Sequence, residues 1–251
     1  MQLNEMKIIV TGAASGLGKC FATELLRAGA QVTACDVDED GLRGLREENP
    51  GLHVQACDVA SEESVVSMVA SAAAAMGGVN GLVNNAGVFR DALLVSRDRD
   101  SGEVSTMSLR QWQKVIDVDL TGPFLCTREV AAHMVREGTS PGVIVNISSV
   151  SRHGNRGQSN YSAAKAGLVA DTKLWAEELS RYGIRVGAVA PGFVQTPILD
   201  AMRPEILAKL VKSVPLGRAG KPEEIWAAVK FILECDYFTG RCVDVDGGIT
   251  I

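Results

Sequence analysis

Several residue types that mark whole classes of function are scarce in this sequence. There are three histidines, and His53, His133 and His153 lie far apart without the short spacing of a metal-ligand set, so no metal site is expected. The six cysteines (Cys20, Cys35, Cys57, Cys126, Cys235 and Cys242) include no CxxC pair. That pattern argues against structural zinc and against a disulfide framework, and fits small buried thiols in a reducing cytoplasm. Cys35 and Cys57 each precede an aspartate at an expected strand end, which would make them neighbours. No apolar run approaches the about 18 residues of a membrane span. The polar start, Met1 to Lys7, lacks the basic and then apolar regions of a signal peptide. Basic residues are outnumbered, with 25 Lys and Arg against 30 Asp and Glu and a net charge of −5. The chain therefore lacks the electrostatic footprint of a nucleic-acid binder.

What the sequence has is regular alternation. Short β-branched runs at 7–11, 31–36, 53–58, 81–84, 142–148, 185–191 and 241–245 are separated by amphipathic segments at 18–28, 39–47, 62–76, 109–137, 162–182 and 222–233. Strands joined by helices of that length require parallel crossovers. The nearly continuous apolar strands Ile8-Ile9-Val10 and Val143-Ile144-Val145 suit a sheet covered on both faces. The expected fold is α/β: a doubly wound parallel sheet of about seven strands with helices on both faces. No break in composition marks a linker, so residues 1–251 read as one domain. Two stretches look like loops or insertions: the charged segment 91–108, and about 195–220 with Pro197, Pro204 and Pro215, which is expected to be a lid over a substrate.

The first strand runs into Thr11-Gly12-Ala13-Ala14-Ser15-Gly16-Leu17-Gly18 and then a helix. Small residues let backbone approach a pyrophosphate, while the open N–H groups and positive dipole end of the helix face its charge. Gly12, Ser15, Gly16, Leu17 and Gly18 are thus candidate cofactor residues. Asp36 closes the second strand, 20 residues beyond Gly16. A carboxylate there can accept hydrogen bonds from both ribose hydroxyls of NAD and would repel a 2′-phosphate. No Arg or Lys lies between Ala28 and Leu42, so NAD is expected over NADP.

The glycine spacing, GxxxGxG, resembles that of the short-chain dehydrogenase/reductase family, and the resemblance runs from Lys7 to Gly248. TGAASGLG is similar to its cofactor loop. Asp58-Val59 is similar to its adenine-contacting pair, and Asn84-Asn85-Ala86-Gly87 to its NNAG motif. Tyr161-Ser-Ala-Ala-Lys165 resembles YxxxK, Pro191-Gly192 with Thr196 resembles PGxxxT, and Val243 to Gly248 its closing strand. The resemblance implies a Rossmann-type oxidoreductase. It adds Asp58, Val59, Asn85, Ala86, Gly87, Pro191, Gly192, Val194 and Thr196 to the cofactor residues. Asn85 would contact the adenosine side, and Val194 and Thr196 the carboxamide.

Tyr161 and Lys165, four apart in a helical segment, share a face. A tyrosine hydroxyl ionises at about pH 10, and a nearby ammonium favours the phenolate, so Lys165 is expected to lower the Tyr161 pKa while holding the ribose. The strand before them ends in Ser148-Ser149. A hydroxyl there would orient a substrate carbonyl; the resemblance gives Ser149, and the shortened loop to Tyr161 keeps Ser148 open. In VIDVDLTGPF this chain has Asp119 where the family usually has asparagine. Its charge opposes tyrosine ionisation, and it is expected to reach the relay through water. Arg90 to Leu94, the stretch from Gly154 to Gly167 and PLGRAGKPEE resemble 3-oxoacyl-acyl-carrier-protein reductases. That resemblance implies a small-molecule or acyl-thioester substrate and a homotetramer. The alternatives are a dehydrogenase of another secondary alcohol (polyol, sugar or steroid) and, because of Asp119, a non-catalytic dinucleotide sensor.

Overall fold

Strand and helix alternate along the chain in the order that the apolar periods require. The computed structural model describes residues 1–200 and 204–250. In chain order the strands are β1 (Lys7–Thr11), β2 (Gln31–Asp36), β3 (His53–Ala56), β4 (Gly81–Asn84), β5 (Val95–Arg97), β6 (Val104–Thr106), β7 (Gly142–Ile147), β8 (Ile184–Pro191) and β9 (Cys242–Val245). The helices are α1 (Gly16–Arg27), α2 (Glu39–Glu48), α3 (Glu62–Met76), α4 (Leu109–Ile116), α5 (Gly122–Arg136), α6 (Ser159–Leu179), α7 (Pro197–Asp200), α8 (Pro204–Ser213) and α9 (Pro222–Glu234). Seven strands form one parallel sheet in the order β3-β2-β1-β4-β7-β8-β9. Strand order reverses between β1 and β4, and their diverging carboxyl ends open the crevice where such sheets bind ligands.

Alternate residues of each strand face opposite sides. Ile8, Val10, Val143 and Val145 pack with Phe21 and Leu25 of α1, Leu42 and Leu45 of α2, and Val229 and Ile232 of α9. Ile9, Leu82 and Ile144 pack on the other side with Val65, Met68 and Val69 of α3 and Cys126, Val130 and Met134 of α5. A buried polar chain ties the second layer to the sheet. Asn84 Nδ2 donates to Asn146 Oδ1 (2.8 Å) and Thr127 Oγ1 (3.0 Å), and Asn146 Nδ2 donates to Thr172 Oγ1 (2.9 Å). Side-chain bonds of this kind, fully buried, fix where α5 and α6 sit relative to β4 and β7.

The structure departs from the sequence reading in three places. The segment 91–108 is not all loop: β5 and β6 form an antiparallel hairpin, with Ser96 and Ser105 bonded across it (2.7 Å) and Asp98 Oδ1 accepting from Ser101 N (2.8 Å) in the turn. Three-residue exposed strands carry no hydrophobic alternation, so no period betrayed them. The expected helix 109–137 is interrupted by a π-helical turn, Asp117–Thr121, between α4 and α5. Finally, β3 ends at Ala56 rather than at 58, although Cys57 N still bonds Asp36 O (2.9 Å). Of the expected lid, residues 201–203 lie outside the described residues, as does 251; α7 and α8 flank the gap.

Ile144 is fully buried on a central strand. Ile144→Ala should destabilise the fold by about 2–5 kcal/mol, whereas Leu94→Ala, on the exposed hairpin segment, should stay within about 0.5 kcal/mol. Urea unfolding of the two variants checks the contrast, and equal losses would contradict this placing of the core.

Candidate active site

At the β1/β4 divergence the backbone is packed so closely that side chains are excluded. A Cβ on Gly12 (φ +64°) would lie 2.7 Å from Ala86 Cα, and one on Gly18 would lie 2.1 Å from Gly12 O. Asn85 Nδ2 donates to Thr11 O (2.9 Å) and Gly12 O (3.0 Å), while Thr11 Oγ1 accepts from Asn85 N and Ala86 N (3.0 Å each). The amide of Asn85 is thus engaged in pinning the turn. The turn delivers Ser15, Gly16 and Leu17 to the start of α1, whose first N–H groups have no partner within the helix. These groups line a cleft of about 690 Å³ with Gly12. At Gly18 the helix α1 comes closest to the turn, leaving no room for a side chain.

Asp36 lies at the outer end of the same cleft. Its Oδ2 accepts from Ala14 N (3.0 Å) and its Oδ1 from Asp38 N (3.1 Å). A carboxylate has about four acceptor positions, so each oxygen keeps capacity for a ribose hydroxyl. The neighbouring lining residues are Val37, Cys57, Asp58 and Val59, none of them cationic. Cys35 and Cys57 are buried side by side, as their strand positions required. Across the cleft, Pro191, Gly192, Val194 and Thr196 form the opposite wall. That wall is held by Gly192 N to Val245 O (2.9 Å) and by a two-way link to the segment before α9, Gln195 N donating to Gly220 O (2.9 Å) and Gly220 N to Phe193 O (2.8 Å).

At the inner end Tyr161 and Lys165 stand one turn apart on α6, with Lys165 Nζ 5.3 Å from the tyrosine ring centre. Asp119 is fully buried, and its Oδ2 lies 3.1 Å from Lys165 Nζ. Its Oδ1 accepts from Val88 N (2.9 Å), and Nζ also donates to Ile147 O (3.1 Å). Asp119 lies within the π turn, an irregularity common at functional sites, and is buried there. Gly87 makes room, since a Cβ there would be 2.8 Å from Asp119 Oδ2. Ser148 Oγ is spent on Lys165 O (2.9 Å), whereas the Ser149 hydroxyl faces the Tyr161 phenol. Both serines line the cleft, and Ser148 is the one whose hydroxyl is already committed to a backbone carbonyl.

Two expectations are corrected here. Asp119 does not need a bridge to reach the relay, because it touches Lys165 directly. Nor is the Tyr161 phenol lowered overall. Burial holds it above the usual tyrosine range, the Lys165 ammonium and Ser149 pull it down, and the Asp119 and Asp91 carboxylates push it up. Burial acts to lower the Lys165 pKa, but Asp119 and Tyr161 outweigh it and hold the ammonium above its ordinary value. Burial likewise raises the Asp119 carboxyl, against the opposing pull of Lys165 and the Val88 N–H.

The cleft also contains residues that motif reasoning did not single out. Phe89 packs against Tyr161 in a tilted arrangement with ring centres 4.6 Å apart, and Asp91, Asn155, Gln158, Phe193 and Leu199 also line the cleft. Their signal in the sequence was present only as likeness around Arg90 to Leu94 and Gly154 to Gly167, without chemistry attached to any one of them.

The family described as Enoyl-(Acyl carrier protein) reductase matches residues 12–250. The chain is 38% identical to the 3-oxoacyl-acyl-carrier-protein reductase of Thermotoga maritima, covering all of both proteins. It is 35% identical to a (3R)-3-hydroxyacyl-CoA dehydrogenase of Canis lupus familiaris, over 99% of this chain and 98% of that protein. A cis-4-hydroxycyclohexanecarboxylate dehydrogenase of Sinomonas cyclohexanicum is 36% identical over 98% and 97%. These relatives share a reaction type and differ in substrate. The chain belongs to the short-chain dehydrogenase/reductase family, oxidoreductases that act on CH–OH groups with NAD(P).

Proposed function

We propose that the protein is an NAD-dependent reductase of ketones, with a 3-oxoacyl thioester as its substrate. The observation that carries this reading is that Ser149, Tyr161 and Lys165, the last backed by the buried Asp119, line the same cleft as Asp36. Gly12, Ser15, Gly16 and Leu17 would hold the pyrophosphate of the dinucleotide. Asp36 would hold the adenosine ribose, Asp58 and Val59 the adenine, and Lys165 the second ribose. Asn85, Ala86 and Gly87 shape the floor, while Pro191, Gly192, Val194 and Thr196 face the carboxamide end. When bound, the nicotinamide supplies or accepts the hydride.

The chain's own residues supply the rest. Ser149 donates its hydroxyl to the substrate carbonyl oxygen and steadies the negative charge that develops there. Tyr161 gives that oxygen its proton; a phenol held above the usual range is protonated at neutral pH and so is ready to donate. Lys165, kept charged by Asp119, stabilises the phenolate that remains. Leu199, from the lid at 195–220, and Phe193 present apolar surface to a substrate chain. The intact set of groups argues against a non-catalytic sensor. Asp36 supports a second reading, an NAD-dependent dehydrogenase of another secondary alcohol such as a polyol, sugar or steroid. Free thiols throughout fit the cytoplasm, and the exposed Leu109 and Phe124 on α4 and α5 fit a homotetramer.

Three expectations follow from the site. NADH should bind far more tightly than NADPH, and Asp36→Ala should narrow the gap; fluorescence titration with both cofactors would show it, and equal affinities in the unaltered protein would refute the NAD assignment. Tyr161→Phe should abolish turnover and leave NADH affinity nearly unchanged. Lys165→Ala should damage both and lower stability by about 3–5 kcal/mol, since it strands a buried carboxylate; a Phe variant with normal turnover would remove Tyr161 from the chemistry. Asp119→Asn removes a negative charge that raises the Tyr161 pKa. It should keep kcat/KM within about tenfold, about 1.4 kcal/mol of barrier, and move the tyrosine limb of its pH profile downward. An upward move, or a loss of several orders of magnitude, would contradict the balance of charges described.

A further inference from the structure

The wall of the cleft beyond Tyr161 is a hydrogen-bonded chain that the proton chemistry does not use. Gln158, only 8% exposed, donates from Nε2 to Asp91 Oδ2 (3.0 Å). Its Oε1 accepts from Ser151 Oγ (3.0 Å) and Asn155 Nδ2 (2.9 Å). Ser151 N in turn donates to Ser149 Oγ (3.1 Å). Backbone bonds reinforce the join: Ala92 N donates to Gly157 O (2.9 Å), and Ala92 and Gln158 form a parallel bridge. Two opposite ends of the glutamine amide are thereby fixed. Its NH2 can only face a carboxylate, and its oxygen faces a hydroxyl and an amide. Asp91, Ser151, Asn155 and Gln158 all line the cleft. Asp91 is exposed there, and its Oδ1 has no protein partner among the described residues.

A carboxylate immobilised at the mouth of a reaction cleft, with one oxygen committed and the other open, is a receptor for a hydrogen-bond donor. We propose that Asp91 determines specificity. Held in place by Gln158, its open oxygen accepts a hydrogen bond from an amide N–H or hydroxyl that the ketone substrate carries beyond its reacting carbonyl. Gln158 is a positioning residue, acting through Asp91 on one side and through Ser151 on Ser149 on the other. The inference rests on the reading of the cleft as a ketone site and deepens it. The amide groups of an acyl-thioester arm would satisfy Asp91, and a bare keto ester would not. A donor-poor ligand gains nothing from the carboxylate, whereas a matched donor gains a charge-assisted bond.

The test compares two ketones with NADH: S-acetoacetyl-N-acetylcysteamine, which carries one amide N–H, and ethyl acetoacetate, which carries no donor. Asp91→Ala should raise KM for the thioester about tenfold while leaving ethyl acetoacetate within about twofold, a difference of about 1.4 kcal/mol. Gln158→Leu should raise the thioester KM in the same selective way with the KM for NADH unchanged, and lower kcat for both ketones alike through the Ser151–Ser149 contact. Asp91→Asn keeps the shape and removes the charge. Lys165, Asp119, Asp91 and the Ser149 hydroxyl all act on the phenol of Tyr161. Asp91→Asn should therefore also move the tyrosine limb of the pH profile downward, which a purely structural role would not do. Equal effects on the two ketones, or none on either, would overturn the assignment of Asp91 and leave the ketone reading standing. Wild-type turnover of neither ketone would overturn the reading of the cleft itself.

Discussion

The structure turns on a carboxylate and an ammonium facing each other out of reach of water. Asp119 and Lys165 are 3.1 Å apart and almost wholly buried. Taking either charge into that position alone would cost several kcal/mol, so each is tolerable because of the other. The surroundings are arranged to keep them together: the Val88 N–H on one carboxylate oxygen, the Ile147 carbonyl on the ammonium, and a glycine at position 87 where any Cβ would collide with the Asp119 carboxylate. With asparagine, as is usual in this family, the lysine would have no full counter-charge. Here the ammonium is held firmly charged, and the phenol beside it feels both signs.

That pair is also where the two halves of the cleft meet. Asp119 comes from the π turn after α4, Lys165 from α6, Val88 from the segment after β4 and Ile147 from the end of β7. The parallel sheet brings all four to the carboxyl ends of adjacent strands β4 and β7, next to the crevice opened by β1. The Asn84–Asn146–Thr172 chain fixes the same elements one layer below. A shift of α6 relative to the sheet would therefore disturb the ion pair, the serine pair and the tyrosine at once.

Much of this was legible in the residues. Apolar runs of period two separated by amphipathic helices specify the sheet and its two cores, because burial on both faces leaves few other arrangements for Ile8 to Val10 or Val143 to Val145. The glycine turn, Asp36 and the Tyr161/Lys165 pair could be placed because their chemistry depends on short spacings. The π turn could not. One extra residue in a helical turn barely alters a hydrophobic pattern, yet Asp119, which meets Lys165 directly, lies within it. The upward displacement of Tyr161 was hidden for a related reason: spacing along a helix reveals the lysine but says nothing about burial. Gly18 stands in the glycine motif as a candidate cofactor residue, and the structure adds that a Cβ there would meet the backbone of the turn, a packing constraint that the motif alone does not reveal. The Asp91–Gln158 wall joins residues 67 apart in the chain, a distance at which no local period operates.

If the ion pair is the keystone, both of its members must be charged at neutral pH. The direct measurement is the 13Cγ resonance of Asp119 in protein labelled at aspartate, assigned by its disappearance in Asp119→Asn and followed from neutral to acid pH. The account predicts a carboxylate signal at neutral pH that takes up its proton, as acid is added, above the range of an ordinary aspartate, because burial raises it while Lys165 restrains the rise. A signal already at the protonated position at neutral pH would mean that a neutral acid sits beside Lys165, and the account of how this site holds its lysine and tyrosine would be wrong.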